Sequence, residues 1–281
     1  MLTLVIGTGY TGGRVLEQLH GAFGLSKSPP EPGKEAASFD LDTAASLSID
    51  LPDTYRVIYT VPPAGESDES NDERLQRFLK LLDPAPQSFV YISTTGVYGD
   101  CGGAKIDESA AVNPGALRAR RRVAAERQLT QWAAACGSRL TILRSPGIYG
   151  PGRLGEERLH NKEPVLSETD ANPGNRIHVD DLASCCCVAL DAPAGIYNVG
   201  DGDHRSATWF ASEVARQLGF PEPRQVSRKE LAQIISPLRL SFLSESRQVD
   251  TRKMREVLGF MPTYTDAEDG IRASRQIGGQ A

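Results

Sequence analysis

Histidine and cysteine are scarce in this chain of 281 residues, with four of the first and five of the second. Their spacing removes several kinds of chemistry. His20, His160 and His204 stand at no metal-ligand interval from one another or from acidic neighbours, so no metal is expected. Cys185, Cys186 and Cys187 are consecutive, which suits neither a disulfide framework nor a zinc site and reads instead as small buried apolar residues. Cys101 and Cys136 lie alone, and no Ser-His-Asp or Cys-His arrangement can be assigned. There is no apolar run near the roughly 20 residues that cross a bilayer, and no leader precedes the strand-like start, so the expectation is a cytoplasmic chain with no membrane partner. Excess positive charge is missing too: a net charge of -5 argues against a general nucleic-acid binder, despite the local run Arg118, Arg120, Arg121, Arg122. No internal repeat is present.

What the chain does have is an ordinary globular composition, 40% hydrophobic and 24% charged, enough for one large domain or two closely packed lobes. The strand-like run Leu2-Thr3-Leu4-Val5-Ile6 leads into Gly7-Thr8-Gly9-Tyr10-Thr11-Gly12 and then a helix-like stretch over 13–20. A GxGxxG in that setting is the local architecture of a dinucleotide site. Gly7 permits the tight turn, Gly9 lets a pyrophosphate approach the backbone, and Gly12 lets the helix pack on the strand. Strand, turn and helix then repeat. Further strands are expected at 22–25, 38–40, 56–61, 88–93 and 140–143, with helices at 73–82 and 116–135 and loop formers at Pro29, Pro30, Pro32 and Gly33. The pattern predicts an α/β fold, a doubly wound parallel sheet of Rossmann type covered by helices on both faces.

Several phrases together resemble the extended short-chain dehydrogenase/reductase superfamily, in its NAD-dependent epimerase/dehydratase branch. Ser88-Phe89-Val90-Tyr91-Ile92-Ser93-Thr94-Thr95-Gly96-Val97-Tyr98-Gly99-Asp100 is similar to the strand and active-site turn of that family, and Leu143 to Arg153 to its next strand and loop. Arg176-Ile177-His178-Val179-Asp180-Asp181-Leu182-Ala183, Gly195-Ile196-Tyr197-Asn198-Val199-Gly200 and Met254 to Phe260 resemble later family segments. The resemblance implies an NAD(P)-binding Rossmann-like domain from 1–150 with 177–200, and a small C-terminal substrate lobe from 151–176 and 201–281. The nucleotide loop departs from the family's TGxxGxxG, because Ile6 stands where its first glycine would fall.

Gly7, Thr8, Gly9, Tyr10, Thr11 and Gly12 are the expected cofactor-binding loop. No acidic residue between Phe23 and Pro30 is placed to accept hydrogen bonds from the ribose of NAD, whereas Ser26, Lys27 and Ser28, helped by Arg14, suit the 2′-phosphate of NADP. Lys27 as a plain solvated loop residue remains open at this point. Asp40 resembles the family aspartate near the adenine ring, with a turn-capping aspartate as the alternative.

In the superfamily a tyrosine acts as acid/base, a lysine four residues on lowers its pKa, and a Ser or Thr holds the reacting oxygen. Thr94 occupies the hydroxyl position. Counting back eight residues from Glu126, which resembles the glutamate closing YxxxKxxxE, places Arg118 at the tyrosine and Arg122 at the lysine. Arginine stays protonated, so the pair could bind and polarise an anion but not shuttle a proton. Tyr98 is the candidate substitute acid/base. His178 is read as shaping the cleft, Asp180 or Asp181 as a helix cap, and Arg153 and Arg176 as cleft arginines or ordinary surface ones. The implied function is NAD(P)-dependent reduction, epimerisation or dehydration of a small carbonyl, alcohol or sugar-type substrate, NADP being favoured over NAD. The alternative is a non-catalytic NAD(P)-sensing protein. The helices at 73–82 and 116–135 resemble the pair through which many family members form homodimers.

Overall fold

The computed structural model describes residues 1–28, 35–64 and 71–278; the loop formers Pro29, Pro30, Pro32 and Gly33 lie outside them. The strands are β1 Leu2–Ile6, β2 Ala22–Ser26, β3 Ala36–Ser38, β4 Tyr55–Tyr59, β5 Ser88–Thr94, β6 Lys105–Ile106, β7 Arg139–Ser145, β8 Gly147–Tyr149, β9 Val165–Leu166, β10 Arg176–His178, β11 Gly195–Asn198, β12 Gln225–Val226 and β13 Gln248–Val249. The helices are α1 Gly12–Gln18, α2 Glu73–Lys80, α3 Leu117–Cys136, α4 Glu156–His160, α5 Val179–Ala189, α6 Ala207–Leu218, α7 Arg228–Ile234, α8 Pro237–Leu243, α9 Arg252–Glu256 and α10 Ala267–Gly278.

Seven strands form one parallel sheet in the order β11-β7-β5-β4-β1-β2-β3. The chain order reverses between β1 and β4, which pair from Leu2↔Tyr55 to Ile6↔Tyr59. In such sheets ligands bind beyond the carboxyl ends of the strands at this reversal. The central strands read as near-continuous apolar runs because both faces are covered. Val5, Ile58, Val90, Ile92 and Leu143 point to one side, against Val15 of α1 and Leu182, Ala183, Cys185 and Cys186 of α5. Leu4, Ile6, Val57, Tyr59, Phe89 and Tyr91 point to the other, against Leu75 and Phe78 of α2 and Ala125 and Leu129 of α3. The period-2 alternation of the strands thus divides one sheet between two cores.

A smaller core joins Tyr149, Leu154, Val214 of α6 and Ile271 of α10, and Leu166, Val226 and Leu231 gather around the β9–β12 pair. One strand is displaced from its expected position. Ser38 ends β3 instead of starting it, because the Asp40 carboxylate accepts the Asp42 amide at 3.0 Å and the Asp40 carbonyl accepts those of Thr43 and Ala44, turning the chain there. Among the described residues no helix is long and apolar enough to cross a membrane, and no cluster could hold a metal ion.

Candidate active site

The glycine loop bridges the carboxyl end of β1 and the start of α1, beside the end of β4. Gly7 has φ 88°, and a Cβ there would lie 2.7 Å from Thr60 Oγ1 and from Val61 Cγ2. Thr60 donates its hydroxyl to the carbonyls of Gly7 at 2.8 Å and Ile6 at 3.1 Å, so the turn is held by the residue that follows β4. At Gly12 a Cβ would fall 1.8 Å from the Gly7 carbonyl oxygen; only glycine lets α1 sit this close to the strand. Gly9 is different. Among the described residues, its chain neighbours apart, a Cβ there meets nothing within 4 Å, so none of them calls for glycine at this spot.

At the end of β2, Thr8 donates to Ser26 Oγ at 2.8 Å, tying the glycine loop to the next strand. Lys27 Nζ lies 3.1 Å from Asp40 Oδ2 and 3.9 Å from Asp42 Oδ2, with 73% of its side chain exposed. The Asp42 amide and then Lys27 hold the Asp40 carboxyl below the usual carboxylate range, and Arg74, at 2.7 and 2.8 Å, does the same for Asp42. Asp40 is therefore a turn former that also pairs with Lys27. Tyr10 is gripped on several sides. Its hydroxyl donates to Pro151 O at 3.1 Å, and the guanidinium groups of Arg14 and Arg153 lie 4.5 and 3.9 Å from its ring centre. Arg14 is in turn fixed by Asp180 Oδ1 at 2.7 Å.

Beyond the ends of β4, β5 and β7 lies a cavity of 810 Å³ whose wall includes Pro62, Thr94, Gly96, Pro146 and Gly147. Among the described residues six arginines line it: Arg118, Arg121 and Arg122 of α3, Arg158 of α4, Arg239 of α8, and Arg247. Against them stand Glu163 and Glu245. Arg239 pairs with Glu163, and Arg247 with Glu245 at 2.9 Å. Thr94, the last residue of β5, accepts the Gly96 amide at 3.1 Å while lining the cavity. Arg122 donates to Tyr91 Oη at 2.9 Å and to Ile92 O at 2.7 Å, and Arg118 donates to Ser241 Oγ at 2.9 Å. Burial lowers the Arg118 pKa, which begins so high that the cation persists.

The aim of α3 is set deeper in. Glu126, almost wholly buried, receives Arg144 of β7 at 2.7 and 3.2 Å and the Ser93 hydroxyl of β5. One carboxylate thereby joins a helix to two strands.

Thr94, Arg118 and Arg122 meet on one cavity, whereas the glycine loop, Ser26, Lys27 and Asp40 gather around the ends of β1 and β2. Tyr98 joins neither group. It is 1% exposed, donates its hydroxyl to Asn198 Oδ1 at 2.8 Å, and carries the Arg144 guanidinium 4.8 Å over its ring. Burial raises its pKa, and its candidacy as substitute acid/base is withdrawn. The cap of α5 is likewise corrected. His178 Nδ1, not a carboxylate, accepts the Asp180 amide at 3.3 Å, while Asp181 receives the amides of Thr263 and Tyr264 at 2.8 and 3.0 Å. Arg176 is buried, donating to the carbonyls of Arg205 and Ser206, and does not line the cavity. Arg158, Arg239 and Arg247, which do, were not singled out from the sequence; they carry no local signature, lying on segments brought together only by the fold.

The family model described as NAD dependent epimerase/dehydratase family matches residues 70–200. A 3-diazoavenalumate denitrifying reductase from Streptomyces is 29% identical over 138 residues, covering 46% of this chain and 45% of that protein, so the match spans under half of the relative's length. A UDP-glucose 4-epimerase from Corynebacterium glutamicum is 26% identical over 236 residues, 72% of this chain and 69% of the epimerase. The structure of a conserved protein of unknown function from Silicibacter pomeroyi superposes with a TM-score of 0.83 at 26% identity, covering 98% of each chain.

Proposed function

We propose, from the premise that the chain belongs to the NAD-dependent epimerase/dehydratase branch of the extended short-chain dehydrogenase/reductase superfamily, that it is an NAD(P)-dependent enzyme acting on a small carbonyl, alcohol or sugar-type substrate that carries negative charge. The observation behind this reading is the meeting of Thr94, Arg118 and Arg122 on one arginine-lined cavity beyond the carboxyl ends of the sheet. The glycine loop fits a dinucleotide, since a Cβ at Gly9 would meet no atom of the described residues within 4 Å, its chain neighbours apart. A pyridine dinucleotide held by this loop would supply reversible hydride transfer. In this reading Thr94 orients the reacting oxygen, and the fixed guanidinium groups of Arg122 and Arg118 stabilise charge developing on it. Neither can trade a proton at neutral pH, which leaves proton transfer to water.

NADP is favoured over NAD because Lys27 and Ser26 stand at the end of β2 without a carboxylate of their own segment. Lys27→Ala is expected to weaken NADPH binding several-fold and leave NADH binding unchanged; equal effects on the two would remove the preference.

The test of function follows NADPH oxidation with carbonyl compounds offered in matched forms, with and without a carboxylate or phosphate. Turnover is expected with the anionic members, and Arg122→Ala should lower kcat/KM by about 100-fold, the usual effect of deleting a donor to a developing oxyanion. Tight dinucleotide binding without substrate-dependent oxidation would instead favour a sensing protein. That second reading draws on the two arginines at positions where the family carries tyrosine and lysine.

A further inference from the structure

The stretch from Pro146 through β8 to the start of α4 touches both halves of the proposed site. Pro146, Gly147, Leu154 and Gly155 line the substrate cavity. The residues between them turn away and lie on the glycine loop: Gly150 packs so closely that a Cβ there would be 2.8 Å from Tyr10 Oη, and Pro151 O accepts the Tyr10 hydroxyl at 3.1 Å. Arg153 then lays its guanidinium 3.9 Å from the centre of the Tyr10 ring.

That contact engages the π face of Tyr10, and the guanidinium carries five N–H donors of its own. Among the described residues those donors have neither an ion-pair partner nor a hydrogen-bond acceptor, and the side chain is exposed. Arg14, stacked on the same ring, is by contrast spent on Asp180 and on the Tyr10 carbonyl. A cation whose donors no described residue engages therefore stands over the ring of Tyr10, the residue that follows Gly9 in the loop.

We propose that Arg153 binds the pyrophosphate of the dinucleotide, reaching it from the substrate side of the molecule with Tyr10 as its platform. A phosphate oxygen would receive the guanidinium edge in the bidentate manner arginine favours. The inference rests on the reading of the glycine loop as a dinucleotide site, and its test separates the two.

Full-length protein and the variants Arg153→Ala, Arg153→Lys and Tyr10→Phe are titrated calorimetrically with NADH and with NADPH at low and high salt, thermal melts serving as the control for folding. Arg153→Ala is expected to raise both dissociation constants about tenfold or more at unchanged melting temperature, with a smaller penalty at high salt. Arg153→Lys should fall between it and the parent, since it keeps the charge and loses the flat fork. Tyr10→Phe keeps the ring and should cost less than Arg153→Ala. If Arg153→Ala binds both nucleotides within twofold of the parent, the proposal fails while the dinucleotide reading stands. A penalty confined to NADPH also overturns it, since that would place the contact on the ribose phosphate. If the parent binds neither nucleotide at millimolar concentration, both fail.

Discussion

A methyl group added at Gly9 and one added at Gly12, three residues further on, should meet opposite fates. Among the described residues, chain neighbours apart, nothing lies within 4 Å of the first, whereas the second would fall 1.8 Å from the Gly7 carbonyl oxygen. Gly12→Ala must push α1 off the strand, at about 1–3 kcal/mol, which lowers the melting temperature by roughly 2–10 °C in a chain of this size. Gly9→Ala should melt like the parent and lose dinucleotide affinity in titration, because its methyl competes only with the ligand. Equal melting temperatures for the two variants would contradict this account.

Asp201 offers a second test at the same scale. It is 5% exposed, its Oδ1 accepts the Asp203 amide at 2.9 Å, and burial pushes its carboxyl up to about 8. A carboxyl raised in the folded state contributes stability below its unfolded pKa of about 4, and that contribution is lost as pH rises toward the folded value. Urea midpoints taken between pH 5 and pH 8 should therefore decline less steeply in Asp201→Asn than in the parent. Parallel declines would mean that Asp201 is not the group responsible.

Among the elements, α3 carries Arg118, Arg121 and Arg122 to the cavity. The pair of Glu126 with Arg144 is sealed between this helix and β7, with the Ser93 hydroxyl of β5 on the same carboxylate. Glu126→Gln leaves a guanidinium buried without its counter-charge, a change that costs about 3–5 kcal/mol and should appear as a lowered urea midpoint. The helix itself was legible in the sequence, expected at 116–135 and found at Leu117–Cys136. So were the glycine turn and the central strands, because apolar alternation and turn glycines are local signals that the fold obeys. The cap of α5 was not. Two aspartates in its first turn look like caps, yet Asp181 is claimed by amides of Thr263 and Tyr264 some eighty residues away. Tyr98 misled for the same reason: its partners, Asn198 and Arg144, are distant in the chain.

For the molecule as a unit, a chain of net charge -5 turns six arginines and two glutamates, among the described residues, into one cavity. Such a field concentrates anions and weakens with salt. With an anionic substrate, KM should rise as ionic strength increases from 0.05 to 0.5 M, over which screening shortens to a few ångströms, while kcat and the KM of an uncharged analogue hold steady. A KM insensitive to salt would leave the arginines without an electrostatic role in capture. The carboxylate that pins α3 lies at residue 126, deeper than the side chains at 118 and 122 that face the cavity. The mount is thus independent of its cargo, and other side chains set at 118 and 122 would inherit the same aim. A chain carrying both Arg118→Tyr and Arg122→Lys is the natural recipient for such a graft, and a newly acquired basic limb in its pH–rate profile would show that the scaffold still accepts proton-transfer chemistry.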